Sequence, residues 1–100
     1  MKHIRYTRRA AGDLESIADY TGSNWGAAKA KQYLSEIRSH IEELAKDSAF
    51  YQPLPVSRAN VFKSKVNRHF VIFELAENQV SVLRILHEAM DIPRHILPRS

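Results

Sequence analysis

From Ala10 to about Lys46 the apolar residues recur at three- and four-residue steps, and beyond Pro53 and Pro55 the spacing changes to strand-like alternation and stays so. Side chains on a helix repeat every 3.6 residues and on a strand every second residue, so neither pattern can bury its apolar side in the other conformation. A single switch from one period to the other predicts a helical layer followed by a sheet, the α+β class.

Within the helical part, Thr7 is placed to cap a first helix whose stripe is Ala10, Leu14, Ile17, Ala18 and Thr21. Gly22 with Ser23 and Asn24 predicts its end. A second helix follows from about Trp25 to about Lys46, with Ala30, Tyr33, Leu34, Ile37, Ile41, Leu44 and Ala45 on its apolar side. So short a turn makes the two helices a hairpin. Lys2 to Tyr6 alternates as a short strand before them, and Asp47 to Ser57 reads as a loop. Three strands are predicted after it, at about Asn60–Val66, Arg68–Leu75 and Gln79–Leu86, joined tightly enough for an antiparallel meander. A short C-terminal helix or turn closes the chain. The expectation is one domain over residues 1–100, ordered β-α-α-β-β-β, with the αα-hairpin on one face of an antiparallel four-stranded sheet.

A chain of 100 residues with 44% hydrophobic content can bury one core and not two. The absence of cysteine excludes disulfides, thiolate metal sites and cysteine nucleophiles. Three glycines cannot build a phosphate-cradling loop, and His3, His40, His69, His87 and His95 show no ligand spacing, so neither cofactor nor metal is expected. Glu42 and Glu43 read as solvating charges. The N-terminus has no apolar segment behind its charges and no run is long enough for a membrane span, which places the expectation in the cytoplasm.

The net charge of +4 favours anionic partners. Two segments are wholly basic among their charges: Met1–Arg9, with Lys2, Arg5, Arg8 and Arg9, and Arg58–Phe73, with Arg58, Lys63, Lys65 and Arg68. Alternation in the last strand sets Val80, Val82, Arg84 and Leu86 against Ser81, Leu83, Ile85 and His87. Both sides are apolar, yet the chain has helix for one, so an uncovered face centred on Arg84 is expected to need a partner. Cover by the C-terminal Ile92, Ile96 and Leu97, or by a second copy, is the alternative at this point. For catalysis the candidate set is Lys63, Lys65, Arg84 and His87, as in a metal-free ribonuclease. Alternation separates Arg84 from His87 unless a bulge re-aims one of them. Trp25, Phe50, Tyr51 and Leu54 are candidate interface anchors, and Tyr33 fits the core better.

The stretch Asp13–Ala45, DLESIADYTGSNWGAAKAKQYLSEIRSHIEELA, resembles the helical hairpin of ParE-type toxins of the ParE/RelE superfamily. RHFVIF at Arg68–Phe73 and LRILHEAMD at Leu83–Asp91 are similar to that family's last two strands. The resemblance implies a RelE/ParE-like fold and the toxin of a type II toxin–antitoxin pair, held inactive by a ParD-like antitoxin whose DNA-binding portion carries the complex to its operator. It implies inhibition of DNA gyrase without catalysis; RelE-type relatives instead cleave mRNA on the ribosome. On this footing Trp25, Phe50, Tyr51, Leu54, Val82 and Arg84 are expected to meet the antitoxin, and Arg58, Lys63, Lys65 and Arg68 the target. Pro53-Leu54-Pro55-Val56-Ser57-Arg58 stands where the family often has a glycine turn. His87 is followed by Glu88 and not by tyrosine, and no C-terminal aromatic is present to stack a base, which favours ParE over the RNA-cleaving branch.

Overall fold

The computed structural model describes residues 1–54, 60–92 and 94. In chain order the elements are β1 (His3–Tyr6), α1 (Arg8–Trp25), α2 (Ala27–Ala45), β2 (Gln52–Pro53), β3 (Val61–Val66), β4 (His69–Leu75) and β5 (Gln79–His87). They form one sheet in the order β1-β5-β4-β3-β2, with the helical hairpin packed on one face.

The sheet therefore has five strands and is mixed, where four antiparallel strands were expected. The meander β3-β4-β5 is antiparallel throughout. β1, however, lies parallel to β5, pairing His3 with Gln79 and Tyr6 with Val82. Alternation tells which side of a strand is buried and carries nothing about its direction. Only a tight hairpin obliges neighbours to be antiparallel, and β1 reaches β5 after the whole helical layer. The fifth strand is the two-residue β2, antiparallel to β3 at the sheet edge, where Pro53 is tolerated because its missing N–H faces no neighbour.

Thr7 starts α1 by two bonds of one hydroxyl, which accepts from the Ala10 amide at 3.1 Å and donates to the Leu83 carbonyl at 2.8 Å. The helix then runs through Gly22 to Trp25, three residues past the predicted break. The reversal falls at Gly26, whose φ of 94° is open to glycine and strained for other residues. Gly22 stays helical beside Ala30, and Asn24, still within the helix, donates back to the Tyr20 carbonyl.

Ala10, Leu14 and Ile17 of α1 and Ile37, Ile41 and Leu44 of α2 pack on Val71, Phe73, Val80, Val82 and Ile85. Burying each Leu, Ile, Val or Phe contributes about 1.5–3 kcal/mol. Tyr51 closes this core beside β2, edge-on to Phe62 and Phe73 with ring centroids 5.0 and 5.5 Å away.

β5 carries a bulge. Ile72 opposes Arg84 and Phe73 opposes Val82, so Leu83 has no opposite residue and the register slips by one. Val80 and Val82 face the helices before the slip and Ile85 after it, while Leu83 and Leu86 join the opposite side. The expected grouping of Val80, Val82, Arg84 and Leu86 on one face is thus broken in its middle.

The second face is also not the open surface expected. Leu54, Val61, Ile72 and Leu86 form a buried cluster there, with Phe70, Leu83 and Ile92 packed against it. Ile92 folds onto this face as one alternative supposed; Ile96, Leu97 and most of the expected C-terminal helix lie outside the described residues, as does Arg58.

Candidate functional site

β1 ends opposite Val82, so from Leu83 onward β5 would present bare backbone at its edge. The start of α1 fills that gap. The Thr7 amide donates to the Val82 carbonyl at 3.0 Å, and Asp13 Oδ2 accepts the Ile85 amide at 2.8 Å. The same carboxylate takes a two-pronged contact from Arg84, Nε to Oδ2 at 2.8 Å and Nη2 to Oδ1 at 2.9 Å. Both side chains are mostly buried, 18% and 15% exposed. The hydrogen bond that Arg84 donates to Asp13 holds its guanidinium more firmly protonated than usual, against the opposing effect of burial. Arg84 is therefore no centre of a free cationic face, and its guanidinium is not available to a phosphodiester while Asp13 holds it.

A second constellation sits where β4 begins and β5 ends. His69 and His87 are register partners across the strands, their rings perpendicular with centroids 5.3 Å apart. Tyr33 Oη accepts the Arg68 amide at 3.4 Å and is hydrogen-bonded to His69 Nδ1, 2.7 Å away. The tyrosine hydroxyl can donate to Nδ1 only while the His69 ring is neutral. Burial pushes the His69 pKa down, and His87 adds to the effect against the weaker opposing pull of Asp13 and Glu88. Burial likewise raises the Tyr33 hydroxyl above its ordinary range. Next in the chain, Glu88 contacts both Lys65 Nζ at 2.8 Å and Arg68 Nη1 at 3.3 Å. Lys65 and Arg68 together hold a carboxylate that lies below the usual range, the Lys65 hydrogen bond being the main cause. Lys63 and Lys65 both lie over the Phe70 ring, 5.2 and 5.9 Å from its centroid.

The bulge at Leu83 precedes Arg84 and so leaves Arg84 and His87 on opposite faces: Arg84 pairs with Ile72 of the second cluster, and His87 with His69, which meets Tyr33 of α2. The structure does not bring the four catalytic candidates together as one site: Lys63 and Lys65 lie over Phe70 and share the register row and face of Arg84, but Arg84 is held by Asp13, and His87 lies on the helical face beside His69.

Among the expected interface residues, Trp25 and Phe50 are exposed, 63% and 79%. Trp25 meets the exposed Tyr20 edge-on at 5.9 Å, so the end of α1 presents an aromatic pair. Tyr51 is half-buried in the core, Leu54 is buried on the second face, and Val82 is fully buried under the helices. Val82 has no surface to offer a partner. Between the helices and β1 a groove of about 360 Å³ is lined by Tyr6, Ala11, Leu14, Ala18 and Leu34, with Glu15 and Arg38 in its walls. Sequence reasoning passed over this groove, as well as Asp13, His69 and Glu88. For Asp13 a signal existed in the D-L-x-x-I-x-x-Y opening; the other two are joined by strand register, which no linear spacing displays.

The family model for the ParE toxin of the type II toxin–antitoxin system parDE matches residues 4–92. Toxin ParE1 of Caulobacter vibrioides is 31% identical over 96 residues, covering 96% of this chain and 99% of that protein. Toxin ParE of Escherichia coli is 28% identical over 94 residues, covering 93% and 91%. In fold, the chain is similar to a structure of the chromosomal ParDE system from P. aeruginosa, with TM-score 0.68 at 24% identity over 87% of this chain and 96% of that one. It is also similar to a chain of the E. coli DinJ-YafQ complex, with TM-score 0.67 at 14% identity over 89% and 96%. With both resembling motifs joined in one ion pair and the family matched along nearly its whole length, the chain belongs to the ParE toxins of type II toxin–antitoxin systems.

Proposed function

We propose that this toxin acts by binding DNA gyrase, without turnover of a substrate, and that a ParD-like antitoxin neutralises it by covering the helical hairpin. The observation that carries the non-catalytic reading is the Asp13 clamp on Arg84: the arginine required for metal-free RNA cleavage is spent on holding α1 to β5. For the antitoxin, support comes from the apolar groove between the helices and from exposed Trp25 and Phe50, the kinds of feature that seat a partner's apolar side chains. Arg58, Lys63, Lys65 and Arg68 are proposed for the target side. Operator DNA is reached only through the antitoxin, and a gyrase target puts the toxin in the cytoplasm.

A supercoiling assay with purified toxin and gyrase tests this. Inhibition that a stoichiometric antitoxin reverses is expected. Undisturbed gyrase at excess toxin, with mRNA cut in a translating extract, would replace this reading by the ribosome-dependent ribonuclease.

A further inference from the structure

We propose that the corner formed by the β3–β4 turn and the end of β5 is a binding site for the phosphodiester backbone of nucleic acid, closed in the free toxin by the carboxylate of Glu88. This goes beyond gyrase binding and stands whether or not gyrase is the target.

Lys65 lies near the end of β3 and Arg68 in the turn that follows. Glu88 reaches both because its backbone is fixed there: its amide donates to the Arg68 carbonyl at 2.8 Å, one residue past the last pair of the β4–β5 ladder. A single carboxylate then answers two cations, at 2.8 and 3.3 Å. A phosphodiester is also a monoanion with two acceptor oxygens and can offer Lys65 and Arg68 the same pair of contacts. The cations are open to it, since Lys65 is 52% and Arg68 76% exposed. Displacing Glu88 is inexpensive, because exposed ion pairs contribute little.

The surroundings favour a polymer of charge over a lone anion. Lys63 and Lys65 share one strand face, about 7 Å apart, and both lie over Phe70. Arg68 continues the row beyond Val66 and Asn67, and Arg58–Phe73 contains no acid. Glu36 on α2 accepts from Asn67 at 2.8 Å and Gln32 at 3.3 Å and keeps its charge beside the turn, whereas Asp13 is paired with Arg84. A row of cations in which Glu88 is the carboxylate seated on Lys65 and Arg68 suits a backbone that repeats its phosphate.

Fluorescence anisotropy of the full chain with labelled duplex DNA of about 20 base pairs and with single-stranded RNA of about 20 nucleotides tests the site. Glu88→Gln is expected to tighten binding by about fivefold or more, beyond the effect of Glu77→Gln, which makes the same change of charge in the exposed β4–β5 turn at the other end of the strands. Lys65→Gln and Arg68→Gln are expected to weaken binding and to lower the slope of log affinity against log salt by about 0.9 each on duplex or about 0.7 on single strands. Thermal melts establish that each variant is folded, and Arg68→Lys should keep the slope. Whichever nucleic acid is held more tightly names the source, and equal affinity supports the shared backbone chemistry. The proposal is overturned if Glu88→Gln binds no tighter than Glu77→Gln, if the salt slopes of Lys65→Gln and Arg68→Gln match the unaltered chain, or if an acidic peptide of equal length competes as well as DNA.

Discussion

Asp13 and Arg84, 71 residues apart, meet in a two-pronged ion pair at 2.8 and 2.9 Å, and the same carboxylate accepts the Ile85 amide just beyond the β5 bulge. Asp13 stands in for the strand that β1 is too short to supply. Asp13→Ala leaves both an amide and a mostly buried guanidinium without this acceptor, which is expected to lower stability by about 2–3 kcal/mol. Asp13→Asn keeps a neutral acceptor and should lose about half as much. In a double-mutant cycle, Asp13→Ala with Arg84→Ala should cost less than the sum of the two by about 1 kcal/mol or more. Additive urea-unfolding free energies would show that the pair is not coupled.

The two hairpin glycines should respond to alanine in opposite directions. Gly26 has a φ of 94° and free space around an added Cβ, so Gly26→Ala brings backbone strain and no clash, expected to destabilise by about 1–2 kcal/mol. Gly22 is helical, and a Cβ there would sit 3.9 Å from that of Ala30, an ordinary contact. Gly22→Ala should therefore stabilise by about 0.5–1 kcal/mol. Thermal unfolding of the two variants checks the signs, and equal shifts would contradict this account.

The difference between those glycines shows what was legible in the residues and what was not. Periodicity located both helices and all three meander strands to within a few residues, because burial on one face repeats locally. It misplaced the helical break because Gly22 and Gly26 are the same residue type, and only tertiary packing decides which adopts the positive φ. The direction of β1 and the bulge at Leu83 were hidden for a related reason: each is a relation between distant strands. Val82 was offered to a partner from a face assignment that the one-residue slip undoes, whereas Arg84 stays on the second face and is taken up by Asp13. Trp25 and Phe50, which depend on no register, are exposed as an interface would require.

Acid should weaken the fold through two histidines. His69 is flanked by Tyr33 of α2, His87 of β5, Asp13 of α1 and Glu88; burial and then His87 lower its pKa, outweighing the two carboxylates. Burial also lowers that of His40, against the pull of Glu43. The unfolded chain thus binds protons first as the pH falls below about 6.5, and stability contributed by the neutral rings, complete above that value, is lost as the pH drops through the folded-state values. Thermal midpoints measured from pH 7.5 to 5 should fall. His69→Gln should flatten the profile, and an unchanged slope in that variant would remove His69 as a cause.

Ala18 offers a way to separate neutralisation from toxicity. It lines the groove between the helices and is only half-buried, so a longer side chain there can point into the groove without entering the core. Ala18→Arg would fill the space with a charged stem and oppose an apolar side chain seated beside Leu14 and Leu34. Deleting a well-seated apolar anchor commonly costs an interface about 2 kcal/mol or more, which corresponds to roughly thirtyfold in affinity. The cation corner around Lys65 and Arg68 belongs to other elements and should be untouched. Antitoxin binding measured by calorimetry is therefore expected to weaken by about that factor, while gyrase inhibition by the free toxin stays as it was. Full antitoxin affinity in a folded Ala18→Arg variant would show that the groove is not where neutralisation occurs.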